Sequence, residues 1–225
     1  VGIDKFTVHA ALNHVDGAHG AHLPFYNRFC NRIDESDRDK EAVCTDVVSG
    51  DKLDVAGRNH ADIYIESTHK TLPALTQTGL IHVNNEKYVG RLERYLRIFQ
   101  SSSPSYLFVQ SIEKAVGYAL DNPQLWVRYR ENIRKFRNEM SELKNLKLFD
   151  PCEGVYDDSR QVIFTGMGGR KLEQILDDRY GLVVEMAAGS YVILITSVMD
   201  EEKDFDRLFA ALKEIDHEEK PAGDE

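Results

Sequence analysis

Residues 61–83, ADIYIESTHKTLPALTQTGLIHV, set the tightest limit on what this chain can fold into. Asp62 to Ser67 alternate in a β pattern, and GLIHV at 79–83 reads as a second strand. Between them Ser67, Thr68, His69 and Lys70 crowd polar groups where the first strand should end. A lysine one residue behind a histidine at the end of an apolar strand suggests a site.

The rest of the sequence bounds what kind of protein carries it. A chain of 225 residues, 42% hydrophobic, can bury one sizeable core or two small ones. No apolar run approaches the roughly 18 to 20 residues needed to span a bilayer, and VGIDKFTVHAALNH lacks the basic region and apolar block of a secretion signal. Cys30, Cys44 and Cys152 are odd in number and widely spaced, so neither a disulfide framework nor a zinc site is indicated and a reducing cytoplasm fits. A formal net charge of -10 argues against a nucleic-acid partner. The basic run RYRENIRKFR at 128–137 alternates with apolar residues at helical spacing and reads as the solvated face of a helix.

Two segments are compositionally odd. Asp34 to Asn59 is charged, turn-rich and weakly periodic and reads as a surface excursion, and 217–225, HEEKPAGDE, reads as a frayed tail. Between them the patterns predict strands at 61–66 and 79–83, then a helix from Glu86 to about Arg97. Two long helices follow the serines before Pro104, the second opened by Pro123. Beyond Asp150 the order is strand (RQVIFTG), helix (KLEQILDDRYG), strand pair (LVVEMA, YVILITS) and a last amphipathic helix, with Gly181 at a C-cap and Asp200 or its neighbours as N-cap. That order predicts a small α/β layer domain behind a long helical connection.

A second polar cluster, HVDGAHGAHLPF at 14–25, repeats the arrangement of strand end and polar residues. Asp16, His19 and His22 suit a metal site, and the stretch also suits a simple turn. One chemistry needs an isolated carboxylate and an isolated lysine at adjacent strand ends. In a pyridoxal phosphate site, lysine holds the aldehyde as a Schiff base and the carboxylate keeps the ring nitrogen protonated.

VDGAHGAH and STHKTLPALTQTGLIHV, followed by FQSSSPSY and by YGLVVEMAAGSYVILITSVMD, closely resemble the ornithine/lysine/arginine decarboxylases of the aspartate-aminotransferase fold, from about Asn13 to Asp216. The resemblance implies an α/β chain: a partial aspartate-aminotransferase-like (pyridoxal-phosphate fold type I) large domain over 1–104, connecting helices over 105–145, a small C-terminal α/β domain over 146–216 and a tail. It implies that Lys70 is the Schiff-base lysine, that Asp16 contacts the pyridine nitrogen and that Ala18 packs on a ring face. Ser67 and His69 fall where the family contacts the cofactor phosphate, and Ser101 and Ser102 in the segment that reaches a partner subunit's phosphate. Ser101–Ser103 equally suit a helix cap, and His69 a backbone hydrogen bond. His19 falls near the substrate side, where it or Lys70 would return a proton to Cα. Glu185 is an acid able to meet a substrate amine, while Met186 and Tyr191 read as core.

The implied activity is pyridoxal-phosphate-dependent decarboxylation of lysine, ornithine or arginine to a polyamine. Because the chain begins only about fifteen residues before Asp16, it is expected to act as part of a larger or split enzyme, as a homodimer or with a complementary N-terminal polypeptide. The alternative from another class is a truncated, non-catalytic paralogue serving as a dimerising regulatory subunit, and a metal-binding α/β module is a third.

Overall fold

The computed structural model describes residues 14–16, 21, 62–150 and 157–218. Ala18, His19 and His22, the 34–59 excursion and the tail beyond Glu218 lie outside the described residues. The chain divides into two compact units, with the boundary between Asp121 and Asn122.

The first unit holds a three-stranded sheet in the order β1 (His14–Asp16), β2 (Ile63–Glu66), β3 (Leu80–Val83). β1 runs parallel to β2, aligning Asp16 with Ile65, and β2 runs antiparallel to β3. Between β2 and β3 the polar cluster forms one helical turn, α1 (Thr68–Thr71), where the sequence predicts only a turn. The helix expected from Glu86 begins instead as a 3-10 turn, Glu86–Tyr88, opened by the Asn85 side chain accepting from the Lys87 N–H, and only then becomes α2 (Val89–Phe99). α3 (Tyr106–Asp121) completes the unit, and its first turn is closed by the Ser105 carbonyl.

The second unit is a four-stranded antiparallel sheet with helices. α4 (Pro123–Met140) opens with proline at its first position, where the missing N–H costs nothing. It buries Trp126, Tyr129, Ile133, Phe136 and Met140, the i, i+3, i+4, i+7 stripe of a core-facing helix. The basic run is therefore not wholly solvated: Arg128 and Arg134 are exposed, but Arg130 falls on the same stripe and is buried. Strands β4 (Lys147–Leu148), β5 (Arg160–Phe164), β6 (Met186–Ala188) and β7 (Tyr191–Ile195) order as β4-β5-β7-β6. The expected strand over 182–187 is restricted to its end, because only from Met186 does the register with β7 begin.

Helix α5 (Gly169–Tyr180) starts so close to the β6–β7 hairpin that a Cβ on Gly169 would meet the Tyr191 carbonyl oxygen at 2.1 Å. It ends as predicted at Gly181, left-handed at φ 60, with the Gly181 and Leu182 N–H groups returning to the Asp177 and Leu176 carbonyls. The last helix, α6 (Glu202–Glu218), runs through residues assigned to the tail. Asp200 does not cap it, since its carboxylate accepts from the Ser197 N–H; Asp204 reaches back to the Glu201 N–H instead.

Phe205 of α6 lies edge-on to Phe136 at 6.1 Å, and buried Ile163, Val192 and Leu194 face the helices from the sheet. Met186 is exposed and Tyr191 half-buried, against the expectation of core, because they point to the outer sheet face beside Phe164. Polar groups in this core are satisfied in chains. Tyr129 donates to Thr196 Oγ1 at 2.8 Å, and Thr196 donates to the Ser159 carbonyl at 2.9 Å. Burial pushes the Tyr129 phenol well above its usual value, so it remains a donor.

Asp216 closes the unit. Its carboxylate accepts from the Leu146, Asn145 and Lys144 N–H groups at 2.8, 2.6 and 3.1 Å. Burial alone would raise this carboxyl, but the three backbone donors, helped by His217, hold it below its usual value. A depressed pKa contributes stability above the unfolded value and loses it as pH falls through the folded one. Asp216→Ala is therefore expected to cost about 3 kcal/mol in denaturant unfolding at neutral pH. The gap to the unsubstituted chain should close on acidification below the ordinary value of 3.8.

Candidate functional site

The β1–β2 pairing decides where the site lies. Parallel neighbours run about 4.8 Å apart, and ligands of open α/β sheets sit in the crevice beyond the carboxyl ends of such strands. Asp16 ends β1, and Ser67, His69 and Lys70 follow the end of β2, so the structure brings these four residues to one sheet edge.

The lysine turn has two backbone bonds of its own and further ones from across the loop. Leu72 N–H donates to the Thr68 carbonyl at 3.0 Å, and Lys70 N–H reaches the Ser67 carbonyl at 3.5 Å. Across the loop, Thr68 N–H donates to the Thr78 carbonyl at 3.2 Å, and Thr68 Oγ1 lies 2.8 Å from Thr78 Oγ1, both side chains being buried. Gln77 turns the chain at φ 75, a left-handed conformation that costs a non-glycine residue about 1 kcal/mol. Gly79 then passes so near β2 that a Cβ there would meet the Glu66 carbonyl oxygen at 2.9 Å. From α3, Ser111 Oγ accepts the Leu75 N–H at 3.2 Å.

His69 makes the backbone hydrogen bond that its strand-end position suggested: Nδ1 is 2.8 Å from the Thr78 carbonyl oxygen. A carbonyl only accepts, so Nδ1 carries the proton and Nε2 is the atom left for a further partner. Ser67 occupies the N-cap position of α1, yet its side chain makes no capping bond, which leaves a half-buried hydroxyl beside the turn. Lys70 is exposed. The Ser67 hydroxyl is a donor suited to a phosphate and the Lys70 amine is suited to an aldehyde, with His69 in the same turn, so the residues present fit pyridoxal phosphate.

Ser101 and Ser102 are exposed, and the Ser101 hydroxyl accepts from the Ser103 N–H at 3.2 Å, a local turn ahead of α3. Glu185 belongs to the second unit, exposed, with its N–H donating to the Ile193 carbonyl. Among the described residues no three histidines, cysteines or carboxylates converge on a metal-sized space, and no helix is long and apolar enough to cross a membrane.

Sequence reasoning missed a polar trio behind the turn. Glu66 is 5% exposed, its Oε2 lies 3.1 Å from His82 Nε2, and the His82 ring stacks on Tyr64 at 4.2 Å with planes 6° apart. Tyr64 pairs with His82, and Glu66 with Leu80, so all four share one sheet face. Alternation alone puts Tyr64 and Glu66 together; His82 joins them only once the register is known.

The sequence profile of the family described as Orn/Lys/Arg decarboxylase, major domain, matches residues 3–165. The chain belongs to this family. Among relatives, the uncharacterized protein YaaO of Bacillus subtilis is 30% identical over 60% of this chain and 30% of its own length. The constitutive lysine decarboxylase of Escherichia coli is 36% identical over 35% of the chain and 11% of its own. An arginine decarboxylase of Bacillus subtilis is 24% identical over 89% of the chain and 39% of its own. The chain thus spans well under half the length of these decarboxylase relatives.

The lysine decarboxylase of Francisella novicida superposes with a TM-score of 0.59 at 19% identity, over 69% of this chain and 28% of that one. A phosphoserine aminotransferase of Cytophaga hutchinsonii superposes at 0.58 and 13% identity, over 91% and 55%. The fold is α/β and aspartate-aminotransferase-like, of pyridoxal-phosphate fold type I. Within this family member, the approach of Gly79 to Glu66 is a packing limit on the lysine loop. Gly79→Ala should push β3 from β2 and destabilise the first unit by about 1–3 kcal/mol, with faster hydrogen exchange at the Thr68 amide.

Proposed function

We propose that this chain supplies the cofactor-anchoring part of a pyridoxal-phosphate-dependent amino-acid decarboxylase acting on lysine, ornithine or arginine, with a polyamine as product. The observation that carries the reading is that Asp16 ends β1 and Lys70 follows the same end of its parallel neighbour β2, inside the segment matched by the decarboxylase family.

Each residue has work it is chemically able to do. Lys70 offers the amine that attaches the cofactor aldehyde covalently, and its exposed position gives an aldehyde access. Ser67 would donate to the phosphate, whereas the Nε2 of His69, unprotonated while Nδ1–H serves the Thr78 carbonyl, would donate there only from a doubly protonated ring. Asp16 would hold the proton of the ring nitrogen, Ala18 would pack against a ring face, and His19 or Lys70 would return a proton to the substrate carbon. Ser101 and Ser102 serve a partner's phosphate. When bound, pyridoxal phosphate supplies the electron sink for the pair left by the departing carboxylate.

In this reading the rest of the pocket comes from elsewhere in a longer or split enzyme, or from a second chain, working as a homodimer in the cytoplasm. The family relatives are more than twice as long, which supports such a completion. The second reading, a non-catalytic dimerising subunit, draws on apolar residues left bare on α2 and α3: Phe99 is 81% and Tyr106 85% exposed.

Adding pyridoxal phosphate and then borohydride separates them. The decarboxylase reading expects a visible absorbance band that reduction fixes as a mass adduct on the Lys70 peptide and that Lys70→Ala abolishes. A chain labelled only at scattered surface lysines would refute it and leave the subunit reading.

A further inference from the structure

A four-residue helix cannot hold its own shape, because a first turn fixes several residues for a single hydrogen bond. Turn α1, which carries Lys70, must have its conformation imposed from outside, and among the described residues the imposing contacts converge on Thr78. The Thr78 carbonyl accepts twice, from the Thr68 N–H at 3.2 Å and from His69 Nδ1 at 2.8 Å. Its hydroxyl proton goes to the Leu75 carbonyl at 2.6 Å, so the 2.8 Å contact with Thr68 Oγ1 has Thr68 as donor. The order is thus fixed, Thr68 to Thr78 to Leu75, and Leu75 is in turn tied through its N–H to Ser111 of α3.

We infer that Thr78 is the positioning residue of the lysine turn, its carbonyl setting the His69 tautomer and its hydroxyl, relayed between Thr68 and Leu75, fixing where Lys70 stands. The importance of Lys70 to chemistry rests on the function proposed above; the hub itself does not. Thr68 and Thr78 are 1% and 3% exposed, so water cannot replace either partner of the relay. Gln77 at φ 75 brings Thr78 back over the turn, and Gly79 lets the following residues close on β2. A left-handed residue before Thr78 and a close backbone approach after it put it there.

Three substitutions in the full chain test this. Thr78→Val keeps the shape and the carbonyl but removes the hydroxyl relay, Thr78→Ser keeps the hydroxyl, and Thr68→Val removes only its donor end. The cofactor-free readouts are the ring-nitrogen NMR shifts of neutral His69, which report the tautomer, and hydrogen exchange at the Thr68 and Lys70 amides. The chemical readout is borohydride-trapped pyridoxal phosphate on Lys70, divided by that on the exposed Lys114 of the same molecule.

In the unsubstituted chain His69 should be protonated on Nδ1. Thr78→Val should shift it toward a mixture and speed exchange at both amides on the order of tenfold or more, the loss expected for a buried hydrogen bond. The labelling ratio should fall in step. Thr78→Ser should restore all three, and Thr68→Val should give a smaller shift in the same direction, which decides the matter should Thr78→Val not fold. A Thr78→Val chain that melts earlier yet keeps the tautomer, the amide protection and the labelling ratio would make Thr78 a packing residue and overturn the inference. If Lys70 is not preferentially labelled in the unsubstituted chain, the decarboxylase reading fails, while the tautomer and exchange results still decide the hub.

Discussion

The parallel pairing of His14–Asp16 with Ile63–Ile65 is the constraint on which the site depends, because it joins two stretches of chain separated by nearly fifty residues. An antiparallel pairing would send Asp16 to the opposite end of the sheet from Lys70. Since β2 also pairs with β3 on its other side, its direction is fixed from both flanks, and the loop leaving its carboxyl end has a firm base. Everything specific to the lysine turn is built on that base: the near contact of Gly79 with Glu66, the buried Glu66–His82 pair and the hydroxyl relay above them.

Much of this was legible in the sequence, and the parts that were not share a cause. The strands at Ile63–Glu66 and Leu80–Val83 follow from alternation, α4 from its apolar stripe and Pro123, and the end of α5 from Gly181. Lys70 stood out because a charged residue behind an apolar strand lacks a packing explanation. Thr78 did not, since a threonine in a turn-rich loop has many ordinary uses and its value comes from four bonds that appear only when the loop folds back. His82 looked like any polar residue in a strand until register set it beside Glu66 and Tyr64. The short strand β4, the buried Arg130 and the Asp216 carboxylate escaped for the same reason: each answers to partners distant in sequence, which local periodicity does not encode.

The two units differ in how far each is closed within itself. In the second, Trp126, Tyr129, Ile133, Phe136, Leu172, Leu212 and Ile215 are all essentially inaccessible, and polar groups at its seams are answered by Thr196, Ser159 and Asp216. In the first, α2 has no buried residue at all, and Ile65 and Ile81 on the sheet face opposite Glu66 remain partly bare. An eleven-residue amphipathic helix gains little stability from propensity alone, so what holds it is the packing of its half-buried apolar side.

The lysine turn departs from that pattern. It lies in the less closed unit, yet its hydrogen bonds come almost wholly from residues 66–79 and from Ser111, within one hairpin and the helix beside it. Local order and completeness of the pocket are therefore separable properties. In the role proposed for Lys70, a hairpin that fixes its own lysine holds it ready before a ligand arrives, so that binding adds contacts instead of ordering the amine at the same moment. Preorganisation of this kind reduces the entropy lost on binding, and the bonds that supply it around Lys70 run through Thr78.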